Sequence, residues 1–462
     1  MAISTTRRGI SAVTFALGLS LVLAACGGDD DGDGGDGGDG DSAGGVGAGA
    51  ECEDLAAEYG DLSGTEITMY STIIAPEDEA LEASFDKFEE CTGATIVYEG
   101  SDEFEAQLPV RVEGGTPPDM AILPQPGLLR TLVADYPDAV VPASEETVAN
   151  VDEFFSPDWK AYGEVDGTFY ATPFGANVKS YVWYSPTAFE EGGYEVPETW
   201  DEMIELSDQI VEDGSKPWCA GVGSGEATGW PATDWTEDVV LRTAGAEVYD
   251  QWVAHEIPFN DPQIIEAIDT VGEILKNEDY VNGGLGDVAS IATTRFEDAG
   301  LPITLGQCYM HRQASFYEAN WPEGTEVGED GDIWAFYLPP IDPAQGSPVL
   351  GGGEFTAAFA DRPEVQAFQA YMATPDWHNE RASLGVFVSA NLEVPLDAYD
   401  SPINRLSAEI LQDEDTVFRF DGSDLMPGAV GTGSFWTGMV DWLTGASTQE
   451  VADAIEDSWP AQ

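Results

Sequence analysis

Strand-like and helix-like runs of apolar residues alternate along the chain after residue 65. Glu66–Thr72 has the composition of a short strand, and Pro76–Cys91 carries apolar side chains at helical spacing. Thr95–Tyr98 predicts a second strand, Phe104–Glu113 a second helix and Met120–Leu123 a third strand. This order predicts an open α/β sheet, in which ligands bind beyond the carboxyl ends of the strands.

The rest of the chain continues this mixture of elements without an internal repeat. Pro262–Asn277 places a row of Ile and Val side chains on one helical face, as expected for a helix that packs on a sheet. The spacing of apolar residues also predicts a strand at Val178–Tyr184 and helices at Trp200–Glu212, Asp234–Ala244, Pro363–Met372 and Thr448–Ser458.

The amino-terminal segment has the features of a secretory leader. Arg7 and Arg8 precede the uncharged apolar stretch Ile10–Ala25, which is too short to cross a bilayer comfortably. The stretch ends in Leu23-Ala24-Ala25-Cys26, which resembles the bacterial lipobox. We expect residues 1–25 to be a lipoprotein signal peptide and Cys26 to carry the lipid; the alternative is an ordinary signal peptide with an incidental cysteine.

Residues 26–50 contain almost only Gly, Asp, Ser and Ala. Such a composition cannot bury enough apolar area to offset the loss of backbone entropy, so we expect a disordered tether behind the lipid anchor. A calcium-binding β-helix repeat is disfavoured, because the segment lacks the alternating apolar residues that such a repeat packs inward.

The formal net charge of −71 arises from 87 acidic and only 16 basic residues among 462. It disfavours nucleic acid and anionic membrane surfaces as partners. Acidity spread over the whole chain favours solubility, in particular in a saline medium, and for any single carboxylate a solvated surface position is the ordinary expectation.

The sequence gives little support for catalysis, and no cofactor is expected. The three histidines are scattered and no cysteines have close metal-ligand spacing, so no metal site is predicted. There is no His-Glu-x-x-His or P-loop motif, and the Gly-x-Ser-x-Gly pattern at Gly40–Gly44 falls in the predicted tether. A glycosidase needs only two facing carboxylates and therefore stays open.

Four passages resemble one family. They are Thr116–Met120, Thr168–Pro173 with Val182–Ser185, Gly306–Met310 with Gln313 to Phe316, and Gly351–Glu354. In this order they resemble the extracellular solute-binding proteins of bacterial ATP-driven importers, specifically the maltose-binding-like group that takes oligosaccharides and glycosides. The likeness runs from about Ile67 to the end of the chain. Ala314 and Phe316 stand where the family usually has Gly and Trp.

The resemblance implies an α/β, two-lobed fold of the periplasmic-binding-protein type, with hinge strands between the lobes. We expect residues 51–175 with 310–352 to form the amino-terminal lobe, and residues 176–309 with 353–462 to form the other. It also implies a monomeric, non-enzymatic receptor outside the cell, anchored by lipid, that passes a solute to the permease subunits of an ABC importer.

The four cysteines other than Cys26 can pair in three ways in an oxidising compartment. We favour Cys52–Cys91 and Cys219–Cys308, since each pair joins segments expected in the same lobe.

Sugars pack their flat C–H faces on aromatic rings and exchange hydrogen bonds with carboxylates and amides. Trp230, Asp234 and Trp235 combine these groups in a Gly/Pro-containing segment, although plain lobe packing is an equal alternative. Asp119 and Glu354 are weaker candidates, because each is equally a cap or turn carboxylate. The full set of predicted ligand-binding residues is Tyr70, Ser71, Asp119, Trp230, Asp234, Trp235, Gln313, Glu354 and Trp436.

Three hypotheses follow. A carbohydrate receptor predicts saturable, salt-tolerant binding of a sugar without turnover. A receptor for a cationic solute such as a polyamine suits the acidity and predicts binding that weakens as salt rises. A secreted glycosidase predicts product formation.

Overall fold

The computed structural model describes residues 52–284, 286–413 and 416–460. The predicted signal peptide, tether and lipidation site Cys26 lie outside the described residues. Within those ranges, no helix combines the length and the apolar character that crossing a membrane requires.

The described residues form thirteen strands: β1 Glu66–Ser71, β2 Thr95–Gly100, β3 Met120–Leu123, β4 Glu164–Val165, β5 Thr168–Phe169, β6 Ala171–Val178, β7 Tyr181–Tyr184, β8 Trp218–Cys219, β9 Val281–Asn282, β10 Met310–Arg312, β11 Trp334–Tyr337, β12 Val349–Ala358 and β13 Phe418–Phe420.

The helices of the same ranges are α1 Glu53–Tyr59, α2 Asp78–Ala83, α3 Asp86–Thr92, α4 Phe104–Glu113, α5 Pro126–Asp135, α6 Glu145–Phe154, α7 Pro157–Tyr162, α8 Pro186–Gly192, α9 Trp200–Glu212, α10 Trp230–Thr243, α11 Ala246–Val253, α12 Pro262–Leu275, α13 Phe296–Ala299, α14 Pro363–Tyr371, α15 Pro375–Ser383, α16 Pro402–Gln412, α17 Gly422–Leu425, α18 Trp436–Leu443 and α19 Thr448–Asp457.

The first sheet has six strands in the order β13-β12-β3-β1-β2, with β6 paired to β12. β1 lies parallel to both β2 and β3, which confirms the α/β arrangement predicted for this part of the chain. The long strand β12 runs antiparallel to β3 and to β6. Helices α14 and α15 pack on this sheet, since Phe368, Tyr371 and Trp377 share its core with Ile67 and Met69.

The second sheet has five strands in the order β11-β7-β10-β8-β9. β10 and β11 both pair antiparallel with β7. This corrects the assignment of the two returning segments. Residues 310–337 are predicted in the first lobe, yet they belong to the second sheet. Residues 353–399 are predicted in the other lobe, yet they pack with the first sheet.

The chain passes between the sheets at points that the hydrophobic pattern did not mark. The predicted strand Val178–Tyr184 is the end of β6 and the whole of β7, which lie in different sheets and are separated by Lys179 and Ser180. The chain returns between β11 and β12. After β13 it crosses again, because Phe435, Met439 and Trp442 belong to the core of the second sheet.

The helices predicted over Phe104–Glu113 and Trp200–Glu212 have those bounds, but the one predicted over Pro76–Cys91 is two helices, α2 and α3. The break falls at Ser84, whose hydroxyl donates to the carbonyl of Leu81 at 2.6 Å. Hydroxyl bonds to nearby backbone compete with helical geometry, a local effect that apolar spacing does not reveal.

Both favoured disulfides are present, Cys52–Cys91 and Cys219–Cys308. Cys219 ends β8 and Cys308 lies two residues before the start of β10, which pairs with β8. The second disulfide therefore ties two neighbouring strands of one sheet.

We predict that Cys219→Ala/Cys308→Ala lowers the free energy of unfolding by about 4 kcal/mol, because the bond closes a sequence separation of 89 residues in the unfolded chain. Cys52→Ala/Cys91→Ala, with a separation of 39, should lose slightly less. Urea unfolding of the purified variants measures both changes. A loss below 1 kcal/mol for the first variant would contradict the prediction.

Candidate functional site

A cavity with a volume of about 210 Å³ lies between the two sheets. Thr72–Glu77 follow β1, Asp102 and Glu105 follow β2, and Gln125 follows β3, so one side is built at the carboxyl ends of the parallel strands. The other side comes from the start of α10, the segment around α13, and the start of α18.

One wall is aromatic. The ring of Trp230 lies 5.0 Å from that of Phe296 and 6.0 Å from that of Phe316, measured between centroids. Trp230 opens α10 directly after Gly229, which has φ 118° and leaves no room for a Cβ because the carbonyl oxygen of Trp436 would lie 2.2 Å away. Glycine at this position therefore brings Trp230 and Trp436 together beside the cavity.

The facing wall carries Glu354 and Arg381. The Arg381 guanidinium lies 4.8 Å from the Phe387 ring centroid and donates to the carbonyl of Gly385 at 2.8 Å. Glu354 lies on β12 opposite Gly175 of β6, where an added Cβ would lie 2.8 Å from the Glu354 Oε2 atom. Gly353 is equally constrained, since its Cβ would lie 2.3 Å from the Gly175 carbonyl oxygen. Gly353 and Gly175 thus allow β12 and β6 to approach closely beside Glu354.

The buried ammonium of Lys179 lies at the base of the cavity, here called the floor. It bonds Asp421 and lies 3.2 Å from Asp234 Oδ1. It also lies 5.5 Å from the Trp230 ring centroid. Burial opposes the charge on Lys179, yet Asp234 and Asp421 raise its pKa well above the ordinary value. Burial alone would raise the pKa of Asp421, but Lys179 holds it far below its usual range.

The loop after β13 presents Asp421, Ser423 and Asp424 to the cavity. Glu237 of α10 fixes this loop from below, because its carboxylate accepts the backbone N–H groups of Gly422 at 2.8 Å and Ser423 at 2.9 Å. The side chain of Asp421 accepts the N–H of Asp424 at 2.9 Å. Carboxylate side chains therefore hold the backbone of this turn from Gly422 to Asp424.

A line of buried ion pairs continues beneath the floor. Arg312 Nη2 lies 2.8 Å from Asp238 Oδ2 and also bonds the carbonyl of Asp234, while Arg242 bonds the other oxygen of Asp238. Burial raises the pKa of Asp234 to about 7, although Lys179 and Arg312 oppose the rise. These side chains support the cavity without lining it.

Several cavity residues carry buried polar atoms that have no hydrogen-bond partner in the described protein. Gln125 Oε1 and Asn177 Oδ1 are acceptors, whereas Asn320 Nδ2, Arg381 Nε and Trp436 Nε1 are donors. Leaving one such group unsatisfied costs about 1–3 kcal/mol. The set is complementary to a solute that both donates and accepts hydrogen bonds.

Burial raises the pKa of four of the carboxyl groups that line the cavity. Burial raises the pKa of Glu77 to about 8, with a smaller contribution from the charge of Glu354 and an opposing one from Arg381. Burial likewise raises the pKa of Glu105, Glu354 and Asp424.

Of the predicted ligand-binding residues, the structure places Trp230, Glu354 and Trp436 at the cavity. Asp234 and Trp235 do not line it, because the helix predicted to begin at Asp234 already begins at Trp230, as α10. Asp234 lies one turn below Trp230 in the ion pairs. Trp235 packs on Trp218 with ring centroids 5.4 Å apart.

The other four predictions also lie away from the cavity. Tyr70 packs against Phe104, and the hydroxyl of Ser71 bonds Tyr98, although the loop that follows them does line the cavity. Gln313 is buried and bonds the next backbone N–H. Asp119 precedes β3, so it lies at the amino edge of the sheet, where it accepts the N–H of Thr68.

Four residues that line the cavity are not among the predicted ligand-binding residues, namely Asn177, Lys179, Phe316 and Arg381. One signal was available for Lys179, since it is one of few cations in a very acidic chain and lies within an apolar segment. Arg381 has no such signal, because only the packing of α15 against the first sheet brings it to the cavity.

Asp234, Glu237 and Asp421 form the one group of acidic side chains in the described ranges whose oxygens have metal-ligand spacing. The protein itself already satisfies them. The Lys179 ammonium lies between Asp234 and Asp421, and Glu237 binds backbone amides.

Comparisons with known proteins agree with this architecture. A family model described as bacterial extracellular solute-binding protein matches residues 74–379. The osmoprotective compounds-binding protein GgtB of Synechocystis sp. is 43% identical over 404 residues, covering 87% of this chain and 94% of that protein. The alpha-glucosides-binding periplasmic protein AglE of Rhizobium meliloti is 42% identical over 86% of this chain and 88% of that protein.

Solved structures show the same fold at lower identity. The bacterial solute receptor AcbH superimposes with a TM-score of 0.73 at 19% identity, covering 85% of this chain and 98% of that one. A chitin oligosaccharide binding protein gives a TM-score of 0.72 at 18% identity over 85% and 97% of the two chains. The two-lobed fold is thus confirmed.

We predict that Glu77 makes the stability of the protein pH-dependent. Its folded-state pKa of about 8 exceeds its ordinary value of 4.5, so the folded state binds the proton more tightly and the free energy of unfolding falls as pH rises between these values. Glu77→Gln should make the fall in the free energy of unfolding less steep, by at most about 1.4 kcal/mol per pH unit.

Glu79→Gln is the matched control, because Glu79 is an exposed carboxylate in the first turn of α2, the helix that Glu77 directly precedes. Urea unfolding from pH 5 to pH 8 should give a curve parallel to the unmodified protein for Glu79→Gln and a flatter curve for Glu77→Gln. Parallel curves for both variants would show that Glu77 is not the titrating group.

Proposed function

The chain belongs to the bacterial extracellular solute-binding proteins, and we propose that it captures a neutral glycoside in the cavity between its lobes and delivers it to an ABC importer. The family acts outside the cytoplasm. We further propose that Cys26 carries the lipid that holds the receptor at the cell membrane, and that the protein releases its ligand unchanged.

One observation carries the choice of ligand. The aromatic wall of Trp230, Phe296 and Phe316 faces a cavity whose other residues hold unpartnered donors and acceptors. A sugar ring has an apolar face for the first and hydroxyl groups, each both donor and acceptor, for the second. The relative named for alpha-glucosides supports the same class of ligand.

The ionic character of the cavity favours a neutral solute over a charged one. Lys179 is already bonded to Asp421, and burial raises the pKa of Glu77 to about 8, which favours a neutral carboxyl group there. A neutral carboxyl group donates one hydrogen bond and accepts others, which suits a hydroxyl group.

A cationic solute is the second candidate, because carboxyl groups outnumber cations around the cavity. The lining carboxyl residues are Glu77, Asp102, Glu105, Glu297, Glu354, Asp421 and Asp424, and the lining cations are Lys179 and Arg381. An ammonium group, however, cannot accept a bond from the free N–H groups of Arg381 and Trp436.

Closure of the lobes around the ligand is the expected mechanism. We propose that one lobe contains residues 52–178 with 349–420 and the other residues 179–348 with 421–460, because these segments share a sheet and a core. The lobes meet at the cavity mouth, where Asp102 lies 3.7 Å from Arg295. Ligand stabilises the closed form, since only that form offers contacts from both lobes.

The central test is calorimetric titration of the purified protein with methyl glycosides, α-linked disaccharides and spermidine, each at low and high salt. We expect salt-tolerant sugar binding without product on chromatography. Spermidine binding that weakens with salt would establish the cationic alternative. Released monosaccharide would establish a glycosidase.

We predict that Trp230→Ala weakens sugar binding about 10- to 100-fold, because it removes the stacking surface at the start of α10. Trp459→Ala is the control. Trp459 is also partly buried and stacks on a side chain, His255, but it does not line the cavity. Equal losses of affinity in the two variants would argue against a stacking role for Trp230.

We predict that Gly225→Ala weakens binding about 10-fold by obstructing closure. Gly225 has φ 53°, and an added Cβ would lie 2.9 Å from the carbonyl oxygen of Asp102 on the other lobe. Gly346→Ala introduces similar backbone strain, with φ 66°, but meets no atom within 4 Å. Calorimetry and small-angle scattering of ligand-bound samples should separate the two variants, with only Gly225→Ala more open. Identical affinities would contradict a closing contact at this point.

A further inference from the structure

The loop that follows α15 contains a residue with strained backbone geometry, and this residue lines the cavity. Val386 has φ 48°, in the left-handed region. A β-branched residue is a clear outlier in this region, because its Cβ approaches the neighbouring carbonyl oxygen and its two methyl groups add to the crowding. The conformation of Val386 therefore costs free energy that a glycine at the same position would not lose.

Two other non-glycine residues of the described ranges have positive φ, and each has an ordinary local reason. Asp166, at φ 52°, precedes Gly167, at φ 79°, in the two-residue Asp-Gly hairpin turn between β4 and β5. His255, at φ 56°, stacks on Trp459 with ring centroids 4.0 Å apart. Asp and His also adopt this region more readily than other residues. Neither reason applies to Val386, because it connects a helix to an isolated bridge and has an aliphatic side chain.

The loop is held on both sides of Val386. The guanidinium of Arg381, near the end of α15, donates to the carbonyl oxygen of Gly385 at 2.8 Å and to that of Val386 at 3.4 Å. On the other side, the carbonyl oxygen of Val388 accepts the backbone N–H of Ala176 on β6 at 2.8 Å. Backbone strain persists where surrounding contacts over-determine the conformation, and such residues concentrate at ligand sites.

The strained conformation leaves one apolar side chain accessible at the cavity. Val386, Phe387 and Val388 all line it. Phe387 is only 7% exposed and Val388 only 2% exposed, because both pack in the core of the first sheet. Val386 is half-buried. Of this segment, Val386 therefore offers the most apolar surface to a solute, on the wall that carries Glu354 and Arg381.

We propose that Val386 is a specificity-determining residue, held in its strained conformation so that its methyl groups contact an apolar face of the bound sugar. This inference rests on the proposed function and deepens it, because it adds an apolar contact on the wall that faces Trp230. The ligand must present C–H groups on this side. A solute with a charged or strongly hydrated group there is rejected, since methyl groups offer no hydrogen bonds to replace those of water.

The first test separates the methyl groups of Val386 from its backbone. Val386→Ala and Val386→Gly both remove the methyl groups, but only glycine relaxes the left-handed backbone. In calorimetric titrations with methyl α-D-glucopyranoside, maltose and trehalose, the sugar that binds most tightly should bind about 3- to 10-fold more weakly to both variants. Val386→Gly should nevertheless melt about 2 °C or more above Val386→Ala. A residue with only a structural role would lose stability and affinity together.

The second test concerns the chemical nature of the contact. Val386→Thr keeps the shape and the β-branch, and therefore the strain, but replaces a methyl group with a hydroxyl group. An apolar contact predicts binding of the same sugar about 3-fold or more weaker. Asp166→Gly is the matched backbone control, because Asp166 also has positive φ, is exposed and does not line the cavity. Its affinity should stay within about twofold of that of the unmodified protein.

Each outcome decides a separate point. Unchanged affinity of Val386→Ala and Val386→Gly for a sugar that the unmodified protein binds overturns the contact while the proposed function stands. A Val386→Gly protein that melts below Val386→Ala shows that the left-handed backbone is not strained, and overturns the inference. Unchanged affinity of Val386→Thr overturns the apolar character of the contact. An unmodified protein that binds none of the three sugars overturns the proposed function, and the role of Val386 with it.

Discussion

The buried ammonium of Lys179 is the interaction on which the architecture of the site depends. It lies where the chain first leaves one sheet for the other, and it bonds Asp421 at the last crossing and Asp234 on a helix of the second sheet. An unpaired charge at this depth would be strongly destabilising, and so would either carboxylate without it. The crossings, the start of α10 and the turn that presents Ser423 and Asp424 are therefore held in one arrangement.

Other cations of the chain are buried beside the cavity as well. The chain has only 16 basic residues, yet Lys179, Arg242, Arg312 and Arg381 are all buried. Lys179 lies at the cavity floor, Arg242 and Arg312 form ion pairs below it, and Arg381 lies in the wall. These few cations pair with or lie near buried carboxylates, which would be costly to leave unpaired away from water. Most surface carboxylates have no cationic partner and are screened by water and salt instead.

The sequence predicts the fold class and many elements well, because apolar periodicity is a local property. β3, α4 and α9 have the predicted bounds, and both disulfides were anticipated. It predicts the site less well. Trp230 and Trp436 line the cavity, as predicted from their aromatic rings. Asp234 instead forms ion pairs with Lys179 and Arg312, which are distant in sequence. Arg381 reaches the cavity only through tertiary packing. The lobe of each returning segment likewise depends on long-range strand pairing, which periodicity cannot show.

The burial of Lys179 has a practical consequence for anyone who attaches the protein to a dye or a sensor chip. The remaining lysines are Lys87, Lys160, Lys216 and Lys276, and none of them lines the cavity. Amine-reactive reagents therefore meet few side-chain targets, all away from the residues that line it. Coupling through these amines leaves the cavity chemically unmodified, which suits the receptor to use as a reagentless biosensor.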